Sequence, residues 1–239
     1  MTNPLTLKLE QRDRLSDEEK RVLDGAIARI STYARGEDMV REGEWPTESK
    51  LLLEGFSARY NLRRSGRRQI TAIYVTGDFV DLHSFVIKKM DHRVLALSPC
   101  RVAHVPHETL REITERHPHL TRLLWLHTAL DAALHRQWLV TMGTEEALGQ
   151  TAHLICELFL RLQVVGQTEG TSFRLPVTQA QLADTLGISL VHVNRIIQEL
   201  RRLGLISWRG DLVEIKDWKG LARLADFDPA FLNLVNKPR

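Results

Sequence analysis

The residues with the clearest capacity for molecular recognition lie between Thr178 and Arg202. Thr178 is followed three residues later by Gln181, the spacing of a capping box, in which two residues at a helix start bond each other's backbone. This pair predicts a short helix over Gln179–Leu186. Gly187 then supplies a residue that tolerates a sharp turn, so that a second helix can follow at once.

The second predicted helix is capped by Ser189 and runs from Leu190 to about Leu203. On a wheel of 3.6 residues per turn, its two faces differ in polarity. The predicted buried face carries Val193, Ile196, Ile197 and Leu200. The opposite face carries Val191, Arg195, Gln198 and Arg202, with His192 and Asn194 at its flanks. Two capped helices joined by a glycine turn predict a helix-turn-helix.

The outer face of this second helix has the chemistry to read the major groove of double-stranded DNA. Arg195 can bond the O6 and N7 atoms of guanine, and Gln198 or Asn194 can bond adenine. Val191 can contact the methyl group of thymine. Phosphate contacts are expected from the residues near the helix N-termini, which are Thr178, Gln179, Ser189 and His192.

A predicted hairpin follows the two helices. Its strands are Leu205–Trp208 and Leu212–Ile215, and its turn is Arg209-Gly210-Asp211. A hairpin at this place is a wing, and Arg209 near its tip is a further candidate DNA contact. The alternative for the whole unit is a three-helix interaction module without DNA, but the exposed arginine and amides on a capped helix favour DNA.

Short segments rich in β-forming residues dominate the sequence from Ile30 to Pro106, and glycines separate them. The predicted strands include Lys50–Leu53, Phe56–Leu62, Gln69–Val75 and Arg101–Val105. Several short strands with turn signals between them predict an antiparallel β domain of the jelly-roll type. A helix is predicted before this domain, over Ser16–Ala28, because Ser16 and Glu19 form another capping box.

A long helix is predicted after the β domain. A short helix over His107–His117 comes first, and Pro118 then opens a helix that runs to about Met142, since proline suits a first helical turn. Apolar residues and one histidine recur along it at steps of three or four, which is typical of a coiled-coil seam. The predicted dimer seam consists of Leu123, His127, Leu130, Leu134 and Trp138.

The predicted fold class is α+β, with an N-terminal antiparallel jelly roll, a long dimerisation helix and a C-terminal winged helix-turn-helix. Gly143 is expected to end the long helix, and Thr144 is expected to cap the next one, which runs to about Val165. The predicted domains are 1–117 for a sensor domain, 118–143 for the dimerisation helix, 144–218 for the DNA-binding domain and 219–239 for a C-terminal extension.

The segment from Leu182 to Ile206, LADTLGISLVHVNRIIQELRRLGLI, resembles the helix-turn-helix of the Crp/Fnr family of bacterial transcription regulators. The resemblance extends over nearly the whole chain and includes the segment GDFVDLHSF at 77–85. It implies a cyclic-nucleotide-binding-like jelly roll and a homodimer that binds near-palindromic DNA. It also implies RNA polymerase as a partner that is recruited or blocked.

The resemblance assigns roles to individual positions of the second helix. It implies that Ser189 caps a recognition helix and that Arg195 contacts bases. Leu190 and Val191 stand where the family has an Arg-Glu pair, so the DNA half-site is expected to differ from that of the best-known members.

The resemblance also points to an effector pocket in the β domain, whose candidate residues are Asp81, Leu82, His83, Ser84, His92 and Arg93. In the family, a Gly-Glu pair holds ribose and an Arg-Ser pair holds the cyclic phosphate. Here Asp81-Leu82 replaces the first pair and His92-Arg93 only approaches the second, which argues against cyclic AMP. The two cysteines, Cys100 and Cys156, cannot supply the four thiolates of a typical iron–sulfur cluster. The sequence identifies no cofactor or effector.

Two further groups of polar residues have competing interpretations. His83, His92, His104 and His107 can in principle bind metal or haem, but only the weak His104-x-x-His107 spacing suggests a motif. Scattered structural histidines are the favoured interpretation, and no metal site is predicted. The basic stretch Arg59–Arg68 can contact flanking DNA or an acidic face of RNA polymerase, and a solvated edge that prevents strand pairing is the favoured alternative.

The composition is that of an ordinary globular protein, with 239 residues, 43% of them hydrophobic, and a net charge of +3. No segment approaches the roughly 18 apolar residues that span a bilayer, and no signal peptide is evident, so a cytoplasmic protein without membrane contact is expected. The motifs of common enzyme classes are missing. A DNA-binding regulator is therefore predicted, and a ligand- or protein-binding jelly-roll module with residual DNA binding is the alternative.

Overall fold

The computed structural model describes residues 3–239, which form two compact units. The first unit comprises Met1–Asn61, Ala72–Ala132 and Asn233–Arg239. The second comprises Leu62–Thr71 and Ala133–Leu232. Each unit thus contains segments that are far apart in the sequence.

Two antiparallel sheets make up the centre of the first unit. Their strands are β1 (Arg29–Tyr33), β2 (Asp38–Val40), β3 (Glu48–Glu54), β4 (Phe56–Leu62), β5 (Arg68–Val75), β6 (Arg93–Ala96) and β7 (Cys100–Pro106). Of these residues, only Leu62 and Arg68–Thr71 belong to the second unit. One sheet has the order β1-β7-β3 and the other the order β2-β6-β4-β5. In the first sheet, Ala103 of β7 lies opposite Ile30 on one side and Leu51 on the other. The predicted N-terminal antiparallel β domain is confirmed.

Aliphatic side chains from both sheets form a common core. Val40, Leu52, Val94, Ala96 and Val102 belong to one cluster and are fully buried. Burying a valine- or leucine-sized side chain contributes about 1.5–3 kcal/mol, so this cluster accounts for a large part of the domain's stability.

Five helices complete the first unit or extend from it. They are α1 (Pro4–Glu10), α2 (Asp17–Gly25), α3 (Ser84–Ile87), α4 (His107–Arg116) and α5 (Pro118–Thr144). The capping box before α2 is confirmed, because Ser16 Oγ accepts from the Glu19 N–H at 3.2 Å while the Glu19 carboxylate accepts from the Ser16 N–H at 2.8 Å. Helix α1 was not predicted, and its Leu5 and Leu9 are buried in the core.

The junction after α5 differs from the prediction. The helix continues through Gly143 to Thr144, and the Thr144 hydroxyl donates to the carbonyl of Val140 at 2.9 Å. Thr144 is therefore inside α5, and Glu146 precedes the next helix, α6 (Ala147–Val164). One glycine costs a helix only about 1 kcal/mol, so Gly143 did not end α5. A threonine hydroxyl can bond its own helix, and Thr144 is the last residue of α5 rather than the cap of α6.

The second unit combines helices with a small sheet. After α6 come β8 (Thr168–Glu169), β9 (Ser172–Arg174), α7 (Gln179–Leu186), α8 (Leu190–Arg202), β10 (Ile206–Arg209), β11 (Leu212–Ile215) and α9 (Trp218–Leu224). The sheet order is β10-β11-β9-β8, so the predicted wing hairpin has two further strands beside it. The segment from Gly166 to Gly170, predicted as a loop, contains β8.

The predicted C-terminal extension is divided between the two units. In the second unit, Phe227 and Phe231 lie against the ring of His153, with centroids 5.0 and 5.6 Å away. In the first unit, the Lys237 N–H donates to the carbonyl of Arg12 at 2.9 Å. Among residues 3–239, no helix is long and apolar enough to cross a membrane.

A charged network in the first unit joins α5 to the segments around α2. His119 Nδ1 lies 2.6 Å from Glu19 Oε1, and its Nε2 lies 3.2 Å from Asp13 Oδ2. Burial by itself would lower the pKa of His119, but the hydrogen bonds and charges of the two carboxylates outweigh it and raise the pKa above its usual value. The positively charged imidazole is thus the form that this network stabilises.

We predict that the substitution His119→Gln destabilises the protein more at about pH 5.5 than at about pH 8.5. A group with a raised pKa in the folded state stabilises fully below its unfolded pKa and loses that effect as the pH rises through the folded pKa. Charge-assisted hydrogen bonds suggest a loss of about 1–2 kcal/mol at the acid end. Urea unfolding at both pH values measures this, and equal losses would contradict a role for the charge.

Candidate nucleic-acid interface

The turn between α7 and α8 follows the sequence prediction closely. Thr178 Oγ1 accepts from the Gln181 N–H at 3.1 Å, and Gln181 Oε1 accepts from the Thr178 N–H at 2.8 Å. Gly187 has φ +71°, a left-handed conformation that other residues adopt only with strain. This glycine ends α7 sharply and lets α8 begin three residues later.

Helix α8 buries one face and exposes the other. Ser189 Oγ accepts from the His192 N–H at 3.3 Å and so caps the helix. The predicted inner residues Val193, Ile196, Ile197 and Leu200 are all buried. On the outer face, Val191 is 62% exposed, and Arg195 and Gln198 are exposed as well. Arg195 has no hydrogen-bond or ion-pair partner among residues 3–239.

Two open grooves flank α8, and most of the candidate DNA-contacting residues line them. One groove is lined by Ser189, Val191, His192 and Arg195, together with Leu148 of α6. The other groove is lined by Thr178, Gln179, Asn194 and Gln198, together with Trp208 and Gly210 of the wing. Both grooves carry polar side chains along α8 of the kinds that bond phosphate oxygens.

Two candidate DNA-contacting side chains already form hydrogen bonds within α8. The guanidinium of Arg202 donates to both carboxylate oxygens of Glu199, at 2.7 and 2.8 Å, and this pairing raises the pKa of Arg202. Asn194 Nδ2 donates to the carbonyl of Leu190 at 3.2 Å. These two side chains can reach a ligand only by exchanging those bonds, whereas Arg195 and Gln198 need no such exchange.

The structure adds wing contacts that the sequence did not single out. Arg209 is exposed at the end of β10, as expected. The Arg201 guanidinium bonds the carbonyl of Trp208, which ties the end of α8 to β10. Arg174 of β9 pairs with Asp211 in the wing turn at 3.0 Å. No local sequence pattern predicts these pairs, because each joins segments that meet only in the folded chain.

The basic stretch Arg59–Arg68 has no single environment. Arg59 pairs with Asp131 at 3.2 Å in the first unit and lies over the ring of Tyr74. Only the turn residues, such as Arg63 and Arg64, are exposed in the way expected of a solvated edge.

The predicted dimer seam does not match the exposed face of α5. Leu123 is fully buried in the first unit. The Phe79 N–H donates to His127 Nε2 at 3.2 Å, and burial lowers the pKa of His127, so this ring is a neutral acceptor within the first unit. In the second unit, Trp138 Nε1 donates to Glu157 Oε2 of α6 at 2.7 Å. Leu130 and Leu134 are half-buried.

A different stripe of α5 is open. Its exposed residues recur at steps of three and four and are Arg122, Trp125, Ala129, Ala132, Arg136 and Leu139. Helix α5 carries apolar residues on more than one side, and spacing alone could not tell which side packs against the rest of the chain.

The candidate effector pocket separates into two clusters. Asp81 is fully buried and bonds Lys50, accepting from its N–H at 2.6 Å and from its Nζ at 3.3 Å. Leu82 is part of the apolar core, and Ser84 Oγ lies 3.2 Å from His107 Nε2. A carboxylate held in this way is not free for a ribose hydroxyl, so these residues do not fit a cyclic nucleotide.

The other cluster contains His83 and His92, whose ring centroids are 5.1 Å apart. Burial, with smaller contributions from the charges of His92 and Arg59, lowers the pKa of His83 to about 4. Burial and Arg59 also lower the pKa of His92. Arg93 lies apart, 3.8 Å from Asp38. Within residues 3–239, no group of three or more His, Cys, Asp or Glu side chains is arranged to hold a metal ion.

Comparison with known proteins identifies both parts of the chain. Residues 30–117 match the family model of the cyclic nucleotide-binding domain, and residues 150–224 match that of the Crp-like helix-turn-helix domain. The anaerobic regulatory protein of Haemophilus influenzae is 22% identical over 92% of this chain and 86% of its own length. The transcriptional activator protein anr of Pseudomonas aeruginosa is 25% identical over 93% of this chain and 87% of its own.

Solved structures show the same fold. FixK2 from Bradyrhizobium japonicum superposes with a TM-score of 0.72 at 22% identity, over 83% of this chain and 97% of its own. A CRP/FNR family regulator from Thermus thermophilus superposes with a TM-score of 0.62 at 18% identity, over 83% and 99% of the two chains. With its N-terminal β domain, its long helix α5 and its winged helix-turn-helix, this chain belongs to the Crp/Fnr family of DNA-binding transcription regulators.

Proposed function

We propose that this protein is a homodimer that reads a near-palindromic DNA site with the exposed face of α8. The observation that carries the proposal is the open, polar outer face of that helix, where Arg195 stands exposed and without a protein partner. The buried face of α8 fixes which side points outward, so the arginine and amides have no alternative orientation.

The base contacts follow from side-chain chemistry. Arg195 bonds guanine, Gln198 or Asn194 bonds adenine, and Val191 contacts a thymine methyl group. Residues at the helix N-termini bind phosphates and set the register, and these are Thr178, Gln179, Ser189 and His192. Arg209 on the wing and Arg202 in the last turn of α8 add phosphate contacts.

We place the dimer contact on the open stripe of α5. Trp125 and Leu139 supply apolar area, and the small Ala129 and Ala132 between them allow two helices to approach closely. A two-fold dimer then presents two copies of α8 about 34 Å apart, which matches successive major grooves on one side of the duplex.

The cellular location and the partner of the protein follow from the proposed role. A regulator of chromosomal DNA works in the bacterial cytoplasm, with RNA polymerase as the partner that it recruits or blocks. One similar protein, from Stutzerimonas stutzeri, is described as a transcriptional activator, which supports the first of these outcomes. The bonds of Asp81 and Lys50 argue that any effector is not cyclic AMP.

Selection from a pool of random duplexes by the purified full chain tests the proposal. We expect a near-palindromic site whose affinity falls steeply as salt rises and stays well above that of random DNA. Recovery of no enriched sequence at low salt would contradict the proposed function.

We predict that Arg195→Ala lowers affinity by about 1–3 kcal/mol for the selected site and removes the preference at one base position per half-site. The matched control is Arg35→Ala, since Arg35 is exposed in the first unit. Binding to duplexes mutated at each position measures the preference. A uniform loss over all sequences would instead make Arg195 a phosphate contact.

We predict that replacing one thymine of the half-site by deoxyuridine weakens binding about fourfold, because a buried methyl group contributes about 0.8 kcal/mol. The Val191→Ala variant should bind the thymine duplex and the deoxyuridine duplex equally well. Titration of both proteins with both duplexes isolates the contact, and an equal penalty in the two proteins would exclude Val191 as the reader of that methyl group.

We predict that Ala132→Glu makes the protein monomeric and weakens specific DNA binding by more than tenfold, because a carboxylate would face its own copy across the two-fold. Ala34→Glu, at an exposed position away from α5, is the matched control. Sedimentation at micromolar concentration measures the mass. A variant that stays dimeric would place the interface elsewhere.

A further inference from the structure

The segment Leu62–Thr71 runs from the last residue of β4 into the first half of β5 and is part of the second unit. It bonds the end of α7 with three consecutive side chains. The pairs are Arg67 Nη2 with the carbonyl of Gly187 (3.1 Å), Arg68 with the carboxylate of Asp184 (2.6 Å), and Gln69 Nε2 with the carbonyl of Thr185 (3.1 Å). More than a hundred residues separate the two partners of each pair along the chain.

The electrostatics of a helix end explain why these donors stabilise α7. The last carbonyls of a helix lack partners within it and carry a partial negative charge. Asp184 adds a full negative charge in this last turn, where it is unfavourable. Arg68 neutralises that carboxylate, and Arg67 and Gln69 bond the free carbonyls. Arg68 and Asp184 are each about one-third exposed or less, so solvent only partly screens their attraction.

The same contacts fix the turn that sets the direction of α8. A methyl group added to Gly187 would lie 3.6 Å from Gln69 Oε1, so the segment lies directly against the turn. Helix α7 in turn packs on α8 through buried side chains, with Leu182 and Ala183 on one helix and Val193 and Ile197 on the other. A shift of the turn would therefore change where the outer face of α8 points.

We propose that Leu62–Thr71 is a working part of the DNA-binding unit, in which Arg68 is a positioning residue that orients α8 through its ion pair with Asp184. The inference rests on the proposed function and adds a residue that touches no base. Within this segment, Arg67 and Arg68 bond the protein itself. Arg63 and Arg64 are exposed and form no side-chain hydrogen bond with residues 3–239.

A charge-reversal cycle tests this assignment with the full chain and the selected duplex. Arg68→Glu and Asp184→Arg should each weaken specific binding about tenfold, and the double variant should return to within about threefold of the starting protein. The slope of log affinity against log salt should stay unchanged in Arg68→Glu, because no phosphate contact is lost. Arg64→Glu, with the same change of charge in the same turn, is the matched control and should keep the turn intact.

Two results would overturn the assignment. If the double variant loses as much binding free energy as the two single variants together, a functional ion pair is excluded. Tighter binding by Asp184→Arg, together with a salt slope reduced by about one in Arg68→Glu, would make Arg68 a direct phosphate contact.

Hydrogen exchange separates this inference from the proposed function. The N–H groups of Gly187 and Ile188 donate to the carbonyl of Ala183, so their exchange reports the turn without DNA. Exchange of these two N–H groups should be about tenfold faster in Arg68→Glu and in Asp184→Arg. It should return to the rate of the starting protein in the double variant, and it should stay at that rate in Arg64→Glu. If no duplex is selected, the proposed function fails, while unchanged exchange in Arg68→Glu would still refute the role of the ion pair.

Discussion

The burial of one face of α8 is the constraint on which the rest of the interface depends. Val193, Ile196, Ile197 and Leu200 are each less than 9% exposed. Burial of four such side chains is worth several kcal/mol, far more than any single surface bond. The helix can therefore not rotate to hide Arg195 without exposing this stripe. The base contacts proposed for α8 follow from that fixed orientation.

Local signals predicted the helix-turn-helix better than they predicted the contacts that hold it in place. The caps at Thr178 and Ser189, the left-handed Gly187 and both faces of α8 were all visible in the sequence, because each depends on neighbours within one or two turns. The bonds of Arg68 and Arg201 were not visible, because their partners are set by tertiary packing. The prediction of α8 is thus confirmed, whereas the contacts that hold it had to come from the structure.

The long helix shows the limit of periodicity. Both the predicted seam and the open stripe have steps of three and four, and only burial distinguishes them. Leu123 and His127 pack within the chain, and Trp125 and Ala132 are exposed, which is why we propose the dimer contact there. In the β domain the difficulty was different, since a sequence pair such as Asp81-Leu82 does not reveal that Lys50 already binds the carboxylate. Strands were predictable there, and ion pairs were not.

The most direct measurement attaches a DNA-cleaving iron chelate to a cysteine that replaces Gln198 on the outer face of α8. Cys100 and Cys156 are buried, and burial raises the pKa of Cys156 to about 12, so the label goes to the new thiol. The account predicts strand cleavage in two short stretches of the selected duplex, about 34 Å apart. Cleavage spread evenly along the DNA, or an identical pattern from a label at position 34, would contradict it.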